Sequence, residues 1–175
     1  MMQPNSFPPN PAYGPYASMV NVLALNAVPV EWRMNMVTGE VKKRQLDDRI
    51  GEFPVINLDY TGARSKWSYH VSMAPEELQR FDGLLKYDLT TGQAQEYKFA
   101  NGVGGSEPVF APRIGSTSED DGYVVVFATA PDGTSEVQVL NAQDFDKGPI
   151  ARIPLPVRVP AGFHGTWAPG DQIAA

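Results

Sequence analysis

Segments with the length and residue types of strands recur along the chain in pairs, each pair joined by a short polar turn. Residues 31–36 and 40–46 make one such pair, 84–89 and 93–99 a second, and 123–130 and 135–140 a third. Runs of this length, bounded by Gly, Pro, Asn and Asp, predict antiparallel hairpins. The third pair is joined through Pro131, Asp132, Gly133 and Thr134, with Asp-Gly as the turn signal. Its first strand, Tyr-Val-Val-Val-Phe at 123–127, is apolar throughout, which predicts burial on both faces. One short helix is predicted over 75–81, where Pro comes early and Glu76 and Glu77 fall in the first turn.

The turns repeat. Arg-Met-Asn-Met-Val-Thr-Gly at 33–39 aligns with Lys-Tyr-Asp-Leu-Thr-Thr-Gly at 86–92, and a looser copy is Val-Leu-Asn-Ala-Gln-Asp at 139–144. Asn35, Asp88 and Asn141 stand 53 residues apart each time. A short polar side chain at that place can bond its own turn backbone, and the following Gly supplies a positive φ. A β repeat of this length matches one four-stranded propeller blade, commonly about 40–50 residues. The prediction is an all-β partial propeller of about three blades over residues 29–167, after an irregular segment at 1–28 and before a tail at 168–175. Terminal blades need neighbours to cover their faces, so a complete molecule would require more chain.

Composition narrows the chemistry. The 16 Gly and 16 Pro disfavour a helical fold, and 14 Lys and Arg against 20 Asp and Glu give a net charge of −6 with no basic stripe for nucleic acid. Without Cys, there is no disulfide or thiolate site, which fits a reducing, cytoplasmic compartment, and any metal must use His and carboxylates. The longest apolar run, 123–130, is far short of the ~20 residues that span a bilayer as a helix. Residues 1–15 lack a signal peptide's basic start and apolar centre and read as a loop.

A second recurring feature follows each repeat turn: a polar residue with a proline and an aromatic residue close by. These are Glu52 in Gly-Glu-Phe-Pro, Glu107 in Ser-Glu-Pro-Val-Phe and His164 in Pro-Ala-Gly-Phe-His-Gly, spaced 55 and 57 residues apart. Their even spacing predicts equivalent places at the starts of successive innermost strands, facing the propeller axis. The ordinary reading of both glutamates is that they are solvated strand ends. A glycosidase carboxylate pair is a second reading, although no sugar cleft is visible in the sequence. For His164 the ordinary reading is a satisfied histidine near the core.

Four stretches change that balance. Gly-Glu-Phe-Pro-Val-Ile-Asn at 51–57, Ser-Glu-Pro-Val-Phe-Ala-Pro-Arg at 106–113, Glu-Asp-Asp-Gly at 119–122 and Pro-Ala-Gly-Phe-His-Gly-Thr-Trp at 160–167 resemble, in order, the C-terminal motifs of the carotenoid cleavage oxygenase family. That family includes apocarotenoid and lignostilbene dioxygenases. The resemblance implies a seven-bladed propeller holding Fe(II) on its axis through four histidines, of which His164 would be the last. It implies outer roles for Glu52 and Glu107, as carboxylates that steady ligand imidazoles. The implied reaction cleaves a carbon–carbon double bond of an apolar substrate with dioxygen, giving two carbonyl products. Phe53, Phe110 and Phe163 are candidates for lining an apolar tunnel, although a propeller core needs large apolar side chains there equally.

The chain departs from the family in its histidine count. Of its two histidines, His70 lies outside any ligand motif and reads as a strand or surface residue. One imidazole cannot hold Fe(II) selectively, so the chain alone is expected to be catalytically incomplete. The missing N-terminal blades would then be a partner, as a separate chain or as more of the same one. The alternative is a non-catalytic β module that binds a partner through exposed blade edges.

Overall fold

In the computed structural model, residues 3–4, 11–17, 25–74, 80–160 and 164–173 are described, and they form strands β1 to β13. Strands β1 (Gln3–Pro4) and β2 (Leu25–Asn26) pair with each other, and Pro11–Tyr16 is a 3-10 turn, so the first 28 residues include some regular structure. Strands β3 (Val30–Met34) and β4 (Val41–Gln45) form a lone hairpin. A four-stranded antiparallel sheet follows, from β5 (Gly51–Val55), β6 (Trp67–Met73), β7 (Phe81–Asp88) and β8 (Ala94–Lys98). The last sheet runs β10 (Val109–Pro112), β11 (Gly122–Thr129), β12 (Ser135–Asn141) and β13 (Pro149–Pro154), with β9 (Gly104–Gly105) also on β11. The all-β partial propeller is thus two complete blades preceded by an outer hairpin. The final helical turn, α1, is Gly170–Ile173.

The repeat is a repeat of turns. The Asn35 side chain accepts from the N–H groups of Val37 and Thr38 at 2.9 and 3.1 Å, and Asp88 accepts from Thr90 and Thr91 at 2.8 and 3.2 Å. In the third copy, Asn141 accepts from Gln143 N at 3.0 Å. Gly39 and Gly92 close the first two turns with φ of 73° and 78°, a region that side chains disfavour.

The core lies between the two complete blades. Tyr69, Val71, Met73 and Leu84 of the first pack against Phe110, Val124, Val126, Leu140 and Phe145 of the second. Tyr69 stacks on Phe110 with centroids 5.3 Å apart. Burying each such side chain contributes roughly 1.5–3 kcal/mol. The Tyr69 hydroxyl is buried without a hydrogen-bond partner among the described residues. Tyr69→Phe is therefore expected to stabilise the fold by about 1 kcal/mol, read as a higher urea midpoint, because it removes a desolvated group that gains nothing in return.

Blade faces differ in how they are covered. Strands β6 and β7 are buried on both sides, with the second blade on one face and the hairpin side on the other. On that hairpin side, the Tyr87 hydroxyl donates to Asp47 at 3.0 Å and Arg44 Nη2 donates to the Leu89 carbonyl at 2.7 Å. Strand β11, expected to be buried on both faces, is buried on one only. Val124, Val126 and Ala128 are covered, while Val125 is half-buried and Phe127 is 45% exposed. Register carries that open face across the sheet, from Phe127 to Val137 to Ile153 and from Val125 to Val139 to Ala151. It is an apolar sheet face of the kind that a next blade would cover.

The predicted helix at 75–81 falls mostly outside the described residues. Its last residue, Phe81, opens β7 instead of closing a helix. No helix among the described residues is long and apolar enough to cross a membrane.

Candidate metal centre

Both glutamates sit where the first strand of a blade is interrupted by one extra residue. In β5, Glu52 pairs with Val71 and Val55 with Tyr69, so Phe53 and Pro54 together stand opposite His70 alone. In the next blade, Gly105 pairs with Ala128 and Val109 with Val125, so Ser106, Glu107 and Pro108 face only Val126 and Phe127. Proline has no N–H to give a ladder, so a bulge is where a strand can carry it. The bulge re-aims its neighbours. Phe53 takes φ 52°, unusual for a side chain of its size. Ser106 repairs the ladder, donating its N–H to the Phe127 carbonyl at 2.8 Å and accepting from Phe127 N on its hydroxyl at 3.1 Å.

The bulge at Glu107 brings together two residues far apart in sequence. Its carboxylate oxygen Oε2 accepts from His164 Nδ1 at 3.2 Å and from Gly165 N at 3.1 Å. The Glu107 side chain is 11% exposed and His164 77%. With a carboxylate accepting at Nδ1, the proton of a neutral ring sits there, and Nε2 presents its lone pair outward. The Phe53 ring meets the His164 ring edge-on at 5.4 Å, and Phe81 meets Phe53 edge-on at 5.5 Å. Phe53 of one blade start therefore touches the histidine two blade starts later.

Glu52 itself is placed differently. It accepts a long bond of 3.4 Å from Phe53 N, and no hydrogen bond joins it to His164 among the described residues. It lines a cleft of about 380 Å³ on the hairpin side, together with Ser68 and His70. His70 is a strand residue, as expected, but it is 5% exposed and not on the surface. Its Nε2 is 2.8 Å from the Ser68 hydroxyl, and burial holds its pKa down to about 4.

A mostly apolar cleft of about 350 Å³ opens beside His164, lined by Val109, Val125, Phe127, Pro160 and Trp167 among others. Of the three tunnel candidates, Phe53 touches His164, Phe110 is 4% exposed in the inter-blade core, and Phe163 lies outside the described residues. Sequence reasoning left out Phe127 and Trp167 as lining residues. The signal for Trp167 was its place at the end of the Gly-Phe-His-Gly-Thr-Trp stretch. No cluster of three or more His, Asp or Glu able to hold a metal ion occurs among the described residues. The arrangement offers one imidazole held at Nδ1 by a carboxylate, a side chain of the type that ligates transition metals.

The Glu-Asp-Asp-Gly stretch fastens the blades. Glu119 of the second blade accepts from the Ser65 hydroxyl at 2.5 Å and from Lys66 N and Trp67 N, both at 2.9 Å. Its neighbour Asp120 takes the ammonium of Lys86 at 2.8 Å. These bonds tie the turn before β11 to the start of β6 and the middle of β7.

Known proteins share this arrangement of sequence and fold. The profile of the retinal pigment epithelial membrane protein family, RPE65, matches residues 3–169. A carotenoid 9,10(9',10')-cleavage dioxygenase of Pisum sativum is 33% identical over 159 residues, covering 82% of this chain and 29% of its own length. The carotenoid cleavage oxygenase of Mycobacterium tuberculosis is 34% identical over 145 residues, 79% of this chain and 28% of that protein. Among solved structures, cobalt-substituted Synechocystis apocarotenoid oxygenase superposes with a TM-score of 0.80 at 29% identity, covering 95% of this chain and 35% of that one. The chain thus spans less than a third of the length of the curated relatives it matches. With the profile running nearly end to end and the blades superposing, the chain belongs to the RPE65 family of carotenoid cleavage oxygenases.

Proposed function

We propose that this chain is the C-terminal part of an Fe(II)-dependent dioxygenase that cleaves a carbon–carbon double bond of a carotenoid, apocarotenoid or stilbene-like substrate. The observation that carries the reading is the Glu107–His164 hydrogen bond, which orients a single imidazole with Nε2 outward beside an apolar cleft. His164 would hold the iron as one of several ligands, and Glu107 would set its tautomer and orientation. Glu52, at the matching bulge, would serve a ligand imidazole contributed by the rest of the propeller. When bound, the iron would activate dioxygen so that each carbon of the double bond ends as a carbonyl. The apolar wall of Val125, Phe127 and Trp167 would keep water from the substrate.

The chain supplies one imidazole, so activity requires the N-terminal blades. The exposed apolar side chains of Ile153 on β13, and of Trp32 and Met34 on the hairpin, support that requirement. They equally suit a module whose function is to bind another protein, so the experiment must separate the two readings. Mixing the chain with the N-terminal blades of a family member and measuring iron content and cleavage of a carotenoid or stilbene does so. Iron retained only by the mixture and lost with His164→Ala is the expected result. Glu107→Gln is expected to weaken iron affinity by roughly 10–100-fold without preventing assembly. Assembly with iron content unaffected by His164→Ala would remove His164 from the metal site and favour the binding-module reading.

A further inference from the structure

The two bulges that open the blades are built differently. At the second, Pro108 follows Glu107 directly, and no residue from Ser106 to Val109 takes a positive φ. At the first, Phe53 stands between Glu52 and Pro54, and among the described residues it alone carries a side chain at positive φ, 52°. A bulge built on glutamate and proline therefore does not require that backbone. Proline narrows the choices of the residue before it, and a bulky side chain stays in the left-handed region only where its surroundings hold it.

What holds Phe53 is aromatic packing. Phe81, at the start of β7, meets the Phe53 ring edge-on at 5.5 Å, and both side chains pack against the inter-blade core. Phe53 in turn meets the His164 ring at 5.4 Å, with the two planes at 88°. That contact joins the blades, since Phe53 belongs to the first complete blade and His164 is bonded to Glu107 of the second. The histidine is otherwise open, with its side chain 77% exposed.

A bond at Nδ1 alone does not fix an imidazole. One hydrogen bond sets the direction of the N–H within a broad range and leaves the ring plane free to tilt about it. A perpendicular aromatic contact removes that freedom, because the edge of one ring stays matched to the face of the other. Contacts of two kinds, from two blades, thus define both the position and the plane of the His164 ring.

Resting on the proposed reading of His164 as a metal ligand, we propose that Phe53 is a positioning residue, whose ring sets the plane of the His164 imidazole and so the direction of the Nε2 lone pair. The left-handed backbone at the first bulge is what brings the ring there. Phe53 donates nothing to a metal and takes no part in the chemistry.

The test reads the ring first and the metal second. The chain has two histidines, so His70→Gln in a chain isotope-labelled at the imidazole nitrogens leaves the signals of His164 alone. In that background the His164 ring protons are expected to show a ring-current displacement that Phe53→Leu removes, while the nitrogen shifts keep the Nδ1–H tautomer that Glu107 sets. Fe(II) affinity of the chain assembled with the N-terminal blades of a family member is expected to fall about tenfold in Phe53→Leu and to return in Phe53→Tyr, which keeps the ring. Phe53→Met takes the place of Phe53→Leu if the latter does not fold. Ring protons unmoved by the substitution overturn the assignment. Wild-type Fe(II) affinity in Phe53→Leu, with affinity lost in His164→Ala, overturns the positioning role and leaves His164 standing as a ligand. Affinity indifferent to His164→Ala overturns both. A fall that Phe53→Tyr does not restore assigns the loss to general packing and overturns the positioning role.

Discussion

Replacing Asp120 with alanine is expected to destabilise the two-blade core by about 3–5 kcal/mol. Lys86 sits in the middle of β7 and is 3% exposed. Its ammonium is held by Asp120 Oδ2 at 2.8 Å and the Ala142 carbonyl at 2.8 Å, and it lies 3.8 Å from the centroid of the Trp67 ring. Every one of those partners but Trp67 comes from the second blade. Without the carboxylate, the charge stays between two sheets with one carbonyl and a ring face for company, and neither replaces a full counter-charge in a low-dielectric site.

The size of that effect does not measure the pair's worth. Exchanging both partners for apolar residues, Lys86→Met with Asp120→Leu, is expected to recover most of the loss, because no ion is then left buried. Urea unfolding followed through tryptophan emission reads both variants, and Trp67 under the ammonium reports directly on the junction. A loss below about 1 kcal/mol for Asp120→Ala, the range of exposed pairs, would show that water reaches Lys86 and that the blades are not locked there. Added salt separates the cases as well, since screening weakens exposed pairs far more than buried ones.

What could be read from the sequence was whatever depends on local chemistry. The side chains of Asn35, Asp88 and Asn141 bond backbone within three residues of themselves, so a 53-residue period in a one-dimensional string was enough to find them. The Glu-Pro pattern was visible at Glu52 and Glu107, but not the extra residue that makes each a bulge, since that is a relation to the partner strand. The repeat spacing aimed Glu107 and His164 at a common axis, but the bond between them spans 57 residues and was not predicted as a pair. Lys86 and Asp120 were not seen as a pair at all. A lysine in a strand reads as solvent-facing, and only the stacking of a second blade buries it. Strand β11 failed in the opposite sense: apolarity on both faces was taken as burial on both, whereas one face is only partly covered among the described residues. The same limit applied to His70, read as a strand or surface residue because it lies outside any ligand motif, whereas the strand buries it.

That buried His70 makes the fold sensitive to mild acid. Its ring lies edge-on to Tyr87 at 4.9 Å, with Nε2 on the Ser68 hydroxyl, and burial lowers its pKa from the model-compound 6.5 to about 4. Glu31 and Glu52 line the same cleft, but neither bonds the ring among the described residues, so no carboxylate compensates the loss of hydration. Between about pH 6.5 and 4 the unfolded chain binds a proton at this position and the native chain does not. Native stability from this group is therefore complete above about pH 6.5 and falls as the pH drops toward 4, by on the order of 3 kcal/mol in total. Asp47 moves in another window: burial raises its carboxyl, but bonds from Arg49, Tyr87 and the backbone more than offset this and hold it below its usual range. Its contribution is lost at lower pH than that of His70, so the two separate. Urea midpoints measured from pH 7 down to 4.5 are expected to fall steadily for the wild-type chain, and to fall less for His70→Gln, which cannot take up the proton. Parallel curves for the two proteins would show that the imidazole is hydrated in the native state and that its burial carries no linkage to folding.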